Sequence, residues 1–291
     1  MVRFTNSGTE AVMYATRLAR SCTGRDRIAK FEGGWHGGYD AVHVAVKPPF
    51  DLPESNGLTQ GAVRDTAVLP FNDAEAVGKA LRKEKLAAVI VEPVLGSGGC
   101  IPAEKGFLKG LRELCTDSGT LLIFDEVVTG FRLAPGGAQQ LYGVKPDITF
   151  LGKILGGGFP IGAVAGLREV MERMDPLLYE RPRFSFHGGT FSGNPVTMTA
   201  GLTTLRMLED GRLIKRLNKR GSYVRQQLSD IFGRKGLSVQ VTGVGSLFHT
   251  HFTSEKVREP NAVFRADRQM LARYHAYLLE RGVFFLPAKM G

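Results

Sequence analysis

Long apolar runs are absent from this chain. None of its 291 residues fall in a run near the roughly 18–20 that a membrane helix needs, so no membrane span is expected. Cysteine is scarce too. Cys22, Cys100 and Cys115 are odd in number and form no C-x-x-C pair. That excludes a disulfide framework and points to free thiols in a reducing compartment, and so to the cytoplasm. Histidine occurs only six times. His249-x-His251 puts two rings on one face of a strand, but a zinc site takes three or four ligands and no third is evident, so no metal is expected. Acidic residues are outnumbered, 28 against 38 Lys and Arg, for a formal net charge of +10. A basic surface suits either nucleic acid or anionic small molecules. No nucleic-acid motif supports the first. The basic stretch Arg212 to Arg225, RLIKRLNKRGSYVR, keeps Leu213, Ile214, Leu217 and Val224 at helical spacing. It reads as the solvated face of a helix; a second basic cluster is Arg181-Pro182-Arg183.

What is present is strand alternating with helix. Val2 to Phe4 and Ile28 to Phe31 read as strands, with a helix from Ser7 to about Cys22 between them. A Gly- and His-rich loop, EGGWHGGYD, follows. Lys47 to Asp65 has no clear periodicity, and a loop of that length often serves as a lid. Helices are expected over Asp73–Lys85 and Glu104–Asp117, and strands over Ala87–Val91, Leu121–Phe124, Ile148–Gly152 and Gly162–Gly166. This order predicts an α/β fold with a mainly parallel sheet covered on both faces. Helices over Asn194–Glu209 and Gly211–Phe232 follow. Strands over Ser238–Thr242, Ser246–Phe252 and Val283–Leu286, with a helix near Ala266–Arg281, then suggest a smaller α+β unit. The division is expected near Asp210, giving domains 1–209 and 210–291. Met1 runs directly into VRFTNSGTEA, and no targeting segment, internal repeat or low-complexity tract is visible.

Chemistry concentrates where strands end. Leu121-Leu122-Ile123-Phe124 runs into Asp125, and Ile148-Thr149-Phe150-Leu151-Gly152 into Lys153. Ligands of open α/β sheets sit beyond the carboxyl ends of strands, so both charges should face one crevice. A lysine ending a buried strand is expected to be partly desolvated, which lowers its pKa and frees a nucleophilic amine. Ser7-Gly8-Thr9 opens a helix, where free N–H groups and the dipole favour an anion; Ser7 and Glu10 equally have capping-box spacing. Trp35, the one tryptophan, stands beside His36 among glycines. Its indole can stack on a planar ring or pack as a rim aromatic. A lysine, a carboxylate and an anion site together are the kit for pyridoxal phosphate.

NSGTEA, WHGGYD, VEPV, IFDEVVTGFR, LGKILGGGFPIGAVAG and GGTFSGNP stand in that order. This series resembles the class III aminotransferases, nearest to their glutamate-1-semialdehyde 2,1-aminomutase branch. The resemblance covers nearly the whole chain and is densest from Ala87 to Ala200. It implies a fold-type I transferase that uses pyridoxal 5′-phosphate and works as a homodimer, with a large sheet domain and an incomplete small α+β C-terminal domain. It implies Lys153 as the Schiff-base lysine and Asp125 as the partner of the pyridinium nitrogen. Ser7, Gly8 and Thr9 match the phosphate loop. Trp35, with His36 beside it, matches the stacking aromatic, Val127 the residue on the opposite ring face, and Glu92 a carboxylate near the ring. Thr190 matches the threonine that reaches the partner subunit's cofactor phosphate, and Lys47 to Asp65 the aminomutase's mobile gate.

Three departures mark this chain. The stacking position is usually Tyr or Phe and is Trp35 here. RFSFHGGTFSGNP resembles transaminases as much as the aminomutase. Against the family pattern the chain starts at the phosphate loop's strand and stops soon after VFFLPAK, which predicts missing pocket and dimer contacts. Three functions follow as expectations: an aminomutase acting on glutamate-1-semialdehyde, a transaminase acting on another amine, or a homologue that binds the cofactor without turnover.

Overall fold

The protein is described from a computed structural model, over residues 1–178 and 183–284. Eleven strands and ten α-helices lie within the described residues. In chain order the elements of the first half are β1 Val2–Thr5, α1 Gly8–Thr23, β2 Ile28–Phe31, α2 Gln60–Arg64, β3 Thr66–Leu69, α3 Ala74–Lys83 and β4 Ala88–Val91. A short pair, β5 Val94–Leu95 with β6 Ile101–Pro102, precedes α4 Phe107–Ser118 and β7 Leu121–Asp125. Then come α5 Gly137–Tyr142, β8 Ile148–Gly152, β9 Gly162–Gly166, α6 Arg168–Met171 and α7 Pro195–Leu208. The last part holds α8 Arg212–Arg234, β10 Gln240–Thr242, β11 His249–His251, α9 Pro260–Arg265 and α10 Arg268–Glu280.

Seven strands form one sheet in the order β1-β9-β8-β7-β4-β2-β3. Only β9 runs antiparallel to its neighbours; the other pairings are parallel. The central strands are continuous apolar runs because both faces are covered. Val89, Val91, Leu122 and Phe124 face a core built with Leu81, Leu111 and Cys115 of α3 and α4. Ile90, Ile123, Ile148 and Phe150 face the opposite core, built with Val12, Ala15 and Leu18 of α1. Period-two alternation along each strand thus splits one sheet between two cores. The parallel register puts the ends of β2, β4, β7 and β8 along one edge, where the site lies.

Several expected bounds shift. The helix predicted from Glu104 starts at Phe107, because Gly106 takes a left-handed φ of 90° as its N-cap. The strands expected over Ser238–Thr242 and Ser246–Phe252 shrink to three paired residues each. The long segment after Lys47 is not structureless. Thr59 caps α2 through Ala62 N–H, and β3, too short and mixed to stand out in the sequence, pairs with β2. Of the strand expected over Val283–Leu286, residues 283 and 284 are not in a strand and 285 and 286 fall outside the described residues, as do Arg181 and Pro182. Val283 itself follows α10, donating its N–H to Leu278 O at 2.9 Å.

Candidate active site

A cavity of about 1210 Å³ opens at the carboxyl edge of the sheet. Ser7, Gly8, Thr9, Trp35, His36, Glu92, Asp125, Val127 and Lys153 all line it. These are nine of the ten residues singled out in the sequence. The tenth, Thr190, is exposed and does not line it. Its segment is held to α1, where Tyr14 Oη receives the Gly188 N–H at 3.3 Å, and His187 Nε2 lies 2.8 Å from Phe4 O at the end of β1.

Both readings of Ser7 hold at once. Its Oγ accepts the Glu10 N–H at 3.2 Å, an ordinary N-cap. That leaves the N–H groups of Gly8 and Thr9 without intrahelical partners, at the positive end of a 16-residue helix. The turn is set by close approach from two sides. A Cβ on Gly37, which has φ +87°, would lie 2.3 Å from Thr9 Oγ1. One on Gly162 of β9 would lie 2.1 Å from Ser7 O and 2.3 Å from Thr5 Oγ1. Gly162→Ala therefore forces the backbone at Ser7 to shift. We expect it to weaken binding of pyridoxal phosphate by about ten-fold or more, since an ångström of misplacement is that costly. Titration of the visible absorption of the bound cofactor checks this; unchanged affinity would show the turn to be adaptable.

Asp125 ends β7 and is 4% exposed. Its Oδ1 accepts the Val127 N–H at 3.0 Å, and its Oδ2 lies 2.7 Å from His36 Nδ1. Burial raises Asp125 to about 7, opposed by the Val127 N–H and the charges of Lys153 and Lys30. Burial, and next the Lys30 charge, pulls His36 down to about 3. His36 is thus neutral near pH 7, with Nδ1–H donating to Asp125 and the buried Nε2 left without a partner. Val127 stands between the start of α1 and the end of β8. A Cβ on Gly8 would meet its side chain at 3.1 Å, and one on Gly152 at 3.4 Å.

Trp35 is 37% exposed, with its ring edge-on to His43 at 5.5 Å. Its N–H donates to Glu92 Oε1 at 2.8 Å, while Glu92 Oε2 accepts the Gly96 N–H at 2.9 Å. Burial and then the Asp125 charge raise Glu92 from 4.5 to about 7. The folded chain therefore keeps a proton that the unfolded chain has released. Stability falls as pH rises from about 4.5 to about 7 and stays lowered above it. Glutamine shares the protonated acid's lack of charge, though its NH₂ cannot accept one of the two backbone N–H groups, a cost that does not vary with pH. Glu92→Gln in the cofactor-free chain should gain on wild type by on the order of 3 kcal/mol between about pH 4.5 and pH 8. Denaturant unfolding at the two pH values checks it; a pH-independent gap would contradict it.

Lys153 departs from expectation. It is exposed rather than partly buried. Instead it opens a 3-10 turn, Lys153–Gly156, with φ +46°. A non-glycine residue held in the left-handed region is strained, and such strain gathers at functional sites. Glu126, next to Asp125, faces away from the chemistry. It accepts from Thr129 Oγ1 at 2.9 Å and from Gln139 Nε2 at 3.0 Å.

The segment after Lys47 reaches the cavity through Lys47 itself. Val44 bridges to Pro53, and Glu54 Oε1 accepts the Val46 and Lys47 N–H groups at 2.6 Å each. It is a tied flap rather than an irregular lid. Phe50 near its tip meets Phe264 of α9 at 6.0 Å. His249 and His251 share a face, with rings 4.6 Å apart. Among the described residues no group of three His, Cys, Asp or Glu could hold a metal. The sequence reading missed Lys30 and Arg132. Arg132 lines the cavity with Nε bonded to Val128 O at 3.2 Å. The sequence signal for Lys30 was a charge inside a four-residue apolar strand.

A family model, aminotransferase class-III, matches residues 1–290. The chain belongs to the class III aminotransferases. It is 49% identical to a glutamate-1-semialdehyde 2,1-aminomutase of Methanothermobacter thermautotrophicus, over 99% of this chain and 68% of that protein. Among solved structures, an omega-transaminase from Sphaerobacter thermophilus has a TM-score of 0.92 at 44% identity, covering 99% of this chain and 68% of its own. A glutamate-1-semialdehyde-aminomutase from Pseudomonas aeruginosa PAO1 has a TM-score of 0.84 at 30% identity, covering 99% and 66%. The fold is that of the fold-type I transferases, and the chain is a pyridoxal 5′-phosphate-dependent enzyme of amino-group transfer. No described helix is long and apolar enough to cross a membrane.

The residues present fit that cofactor. One end of the cavity offers free N–H groups at a helix start, which suit a phosphate. A carboxyl, walled off from water and steadied by His36, suits a ring N–H. Lys153, exposed at the cavity, suits an aldehyde carbon.

Proposed function

We propose that this chain transfers an amino group within one small amino-aldehyde, as glutamate-1-semialdehyde 2,1-aminomutases do. The 49% identity to such an enzyme over 99% of this chain carries the reading. A flap that closes on itself and reaches the cavity at Lys47 supports it, because an intramolecular exchange must retain a reactive aldehyde between its two halves.

When bound, pyridoxal phosphate takes up the amino group at its aldehyde carbon, and its ring accepts the electron pair released at the substrate carbon. The chain's own residues do the rest. The N–H groups of Gly8 and Thr9 and the hydroxyls of Ser7 and Thr9 bind the phosphate. Asp125, held by His36 and the Val127 N–H, keeps a proton at the ring nitrogen. Trp35 and Val127 take opposite ring faces. Glu92, aligned by the Trp35 and Gly96 N–H groups, puts a carboxyl beside the ring. Lys153 Nζ would hold the cofactor at rest and, once freed by the incoming amine, would move a proton between the substrate carbon that bears the amine and the cofactor's aldehyde carbon. In this reading the large unit, 1–209, holds the cofactor and the smaller unit, 210–291, closes the cavity. Thr190, outside its own cavity, serves the partner subunit's phosphate in a homodimer. Three free cysteines suit a cytoplasmic location.

A second reading is transamination between two separate substrates. The omega-transaminase from Sphaerobacter thermophilus favours it, with a TM-score of 0.92 against 0.84 for the Pseudomonas aeruginosa aminomutase. The RFSFHGGTFSGNP stretch, which resembles transaminases as much as the aminomutase, is compatible with it. Absorption spectra of the purified protein with pyridoxal phosphate separate the two. A visible band that needs Lys153, and that shifts with glutamate-1-semialdehyde or 4,5-diaminovalerate, supports the aminomutase. A Lys153-dependent band that answers only to other amines supports the transaminase. No band in the wild type overturns both.

A further inference from the structure

Lys30 lies on β2 with none of its surface exposed, the largest of the fully buried side chains described. A buried ammonium needs acceptors for all three of its hydrogens. It has them: Gly34 O at 2.8 Å, Val42 O at 3.3 Å and Val44 O. A neutral amine has two hydrogens, so three carbonyls around Nζ call for the charged form. The carbonyls belong to two different segments. Gly34 directly precedes Trp35 and His36. Val42 and Val44 lead into the flap that Glu54 closes. Between them the backbone is irregular apart from one 3-10 turn, Asp40–Val42. Across this gap the His43 ring meets Trp35 edge-on.

Charge fits the same arrangement. Burial draws Lys30 down to about 7, and Glu92, Glu54 and Asp125 oppose it. One internal cation therefore sits among three carboxyls, two of them at the cofactor end of the cavity and the third in the flap.

We propose that Lys30 is a positioning residue, the internal cation that locks the Trp35–His36 loop to the base of the flap. The pose of the aromatic and the closure of the flap are then one event. The consequence for cofactor binding rests on the reading given above; the tie between loop and flap is read out without cofactor.

Trp35 is the only tryptophan, so its fluorescence reports on this loop alone. The full chain carrying Lys30→Met is compared with wild type by circular dichroism, by iodide quenching of Trp35, and by titration with pyridoxal phosphate. In folded Lys30→Met, quenching should rise roughly two-fold and cofactor affinity fall about ten-fold, as expected when a site residue is misplaced. Wild-type quenching in the folded variant overturns the proposal. Should Lys30→Met not fold, Glu54→Gln tests the other end of the tie. It should also raise Trp35 quenching, though less, and raise KM more than it changes kcat; wild-type values for both overturn the coupling. If quenching rises while neither wild type nor variant binds pyridoxal phosphate, the tie stands and the cofactor reading falls.

Discussion

Lys153→Ala lowers the rate of amino transfer by roughly 10⁴-fold or more, the upper range for loss of a group that moves a proton in the transition state. In the proposed reaction one amine does two jobs, nucleophile and then base, and among the described residues no other lysine at the cavity stands free to take over both. The other lysine at the cavity, Lys47, sits on the flap, and Lys30 is spent on three carbonyls. The loss should come without unfolding. Lys153 is exposed and makes no contact on which either core depends, and alanine in its left-handed conformation is strained as lysine is. Steady-state rates and thermal unfolding of the same preparation check both halves. A variant within ten-fold of wild type, or about that, would sink the assignment of the base.

Asp125→Asn is the second large effect, with kcat falling by roughly 10²–10³-fold, comparable to removing one preorganised electrostatic group. Asparagine has nearly the same shape, so the cavity keeps its form while the chemistry changes. The wild-type carboxylate accepts from the Val127 N–H and from His36 Nδ1–H. An amide has one oxygen. Either its NH₂ faces the Val127 N–H, donor against donor, or it faces His36. The second choice moves the imidazole proton to Nε2, which is buried without a partner. Both cost free energy, and neither leaves an anion to keep a proton on the cofactor ring. Cofactor affinity and kcat should fall together. A variant with wild-type kcat would mean that the ring nitrogen needs no anionic partner here.

The sequence reading placed Asp125 at the strand end that lines the cavity because the physics there is local. A four-residue apolar run ending in a charge is a strand end in any packed α/β sheet, and strand ends of that kind meet at one edge. Ser7-Gly8-Thr9 was legible for the same reason, as a helix start announces its own free N–H groups. Lys153 was placed at the cavity by the same logic, but as a partly buried side chain, and it is exposed. Its strand is buried, but the chain turns at once through Gly152 and a left-handed φ, which lifts the side chain into the open cavity. The pattern of apolar residues does not encode that turn.

Other features were out of reach because they join distant residues. The Asp125–His36 bond spans 89 positions, and the Trp35–Glu92 bond 57. Lys30 passed unread in its strand, since only the folded chain brings three carbonyls of two later segments around it. The flap looked irregular because its order comes from Glu54 bonding back to Val46 and Lys47, not from periodicity. The sequence by itself thus determined the strands, the helix start and the types of group at their ends, because each depends on neighbours within a few residues. Tertiary structure alone decided which carboxyls are buried close enough to repel one another, which histidine is held neutral, and which lysine stays exposed at the cavity. Burial and charge–charge distance are properties of packing, and packing exists only once the two cores have closed on the sheet.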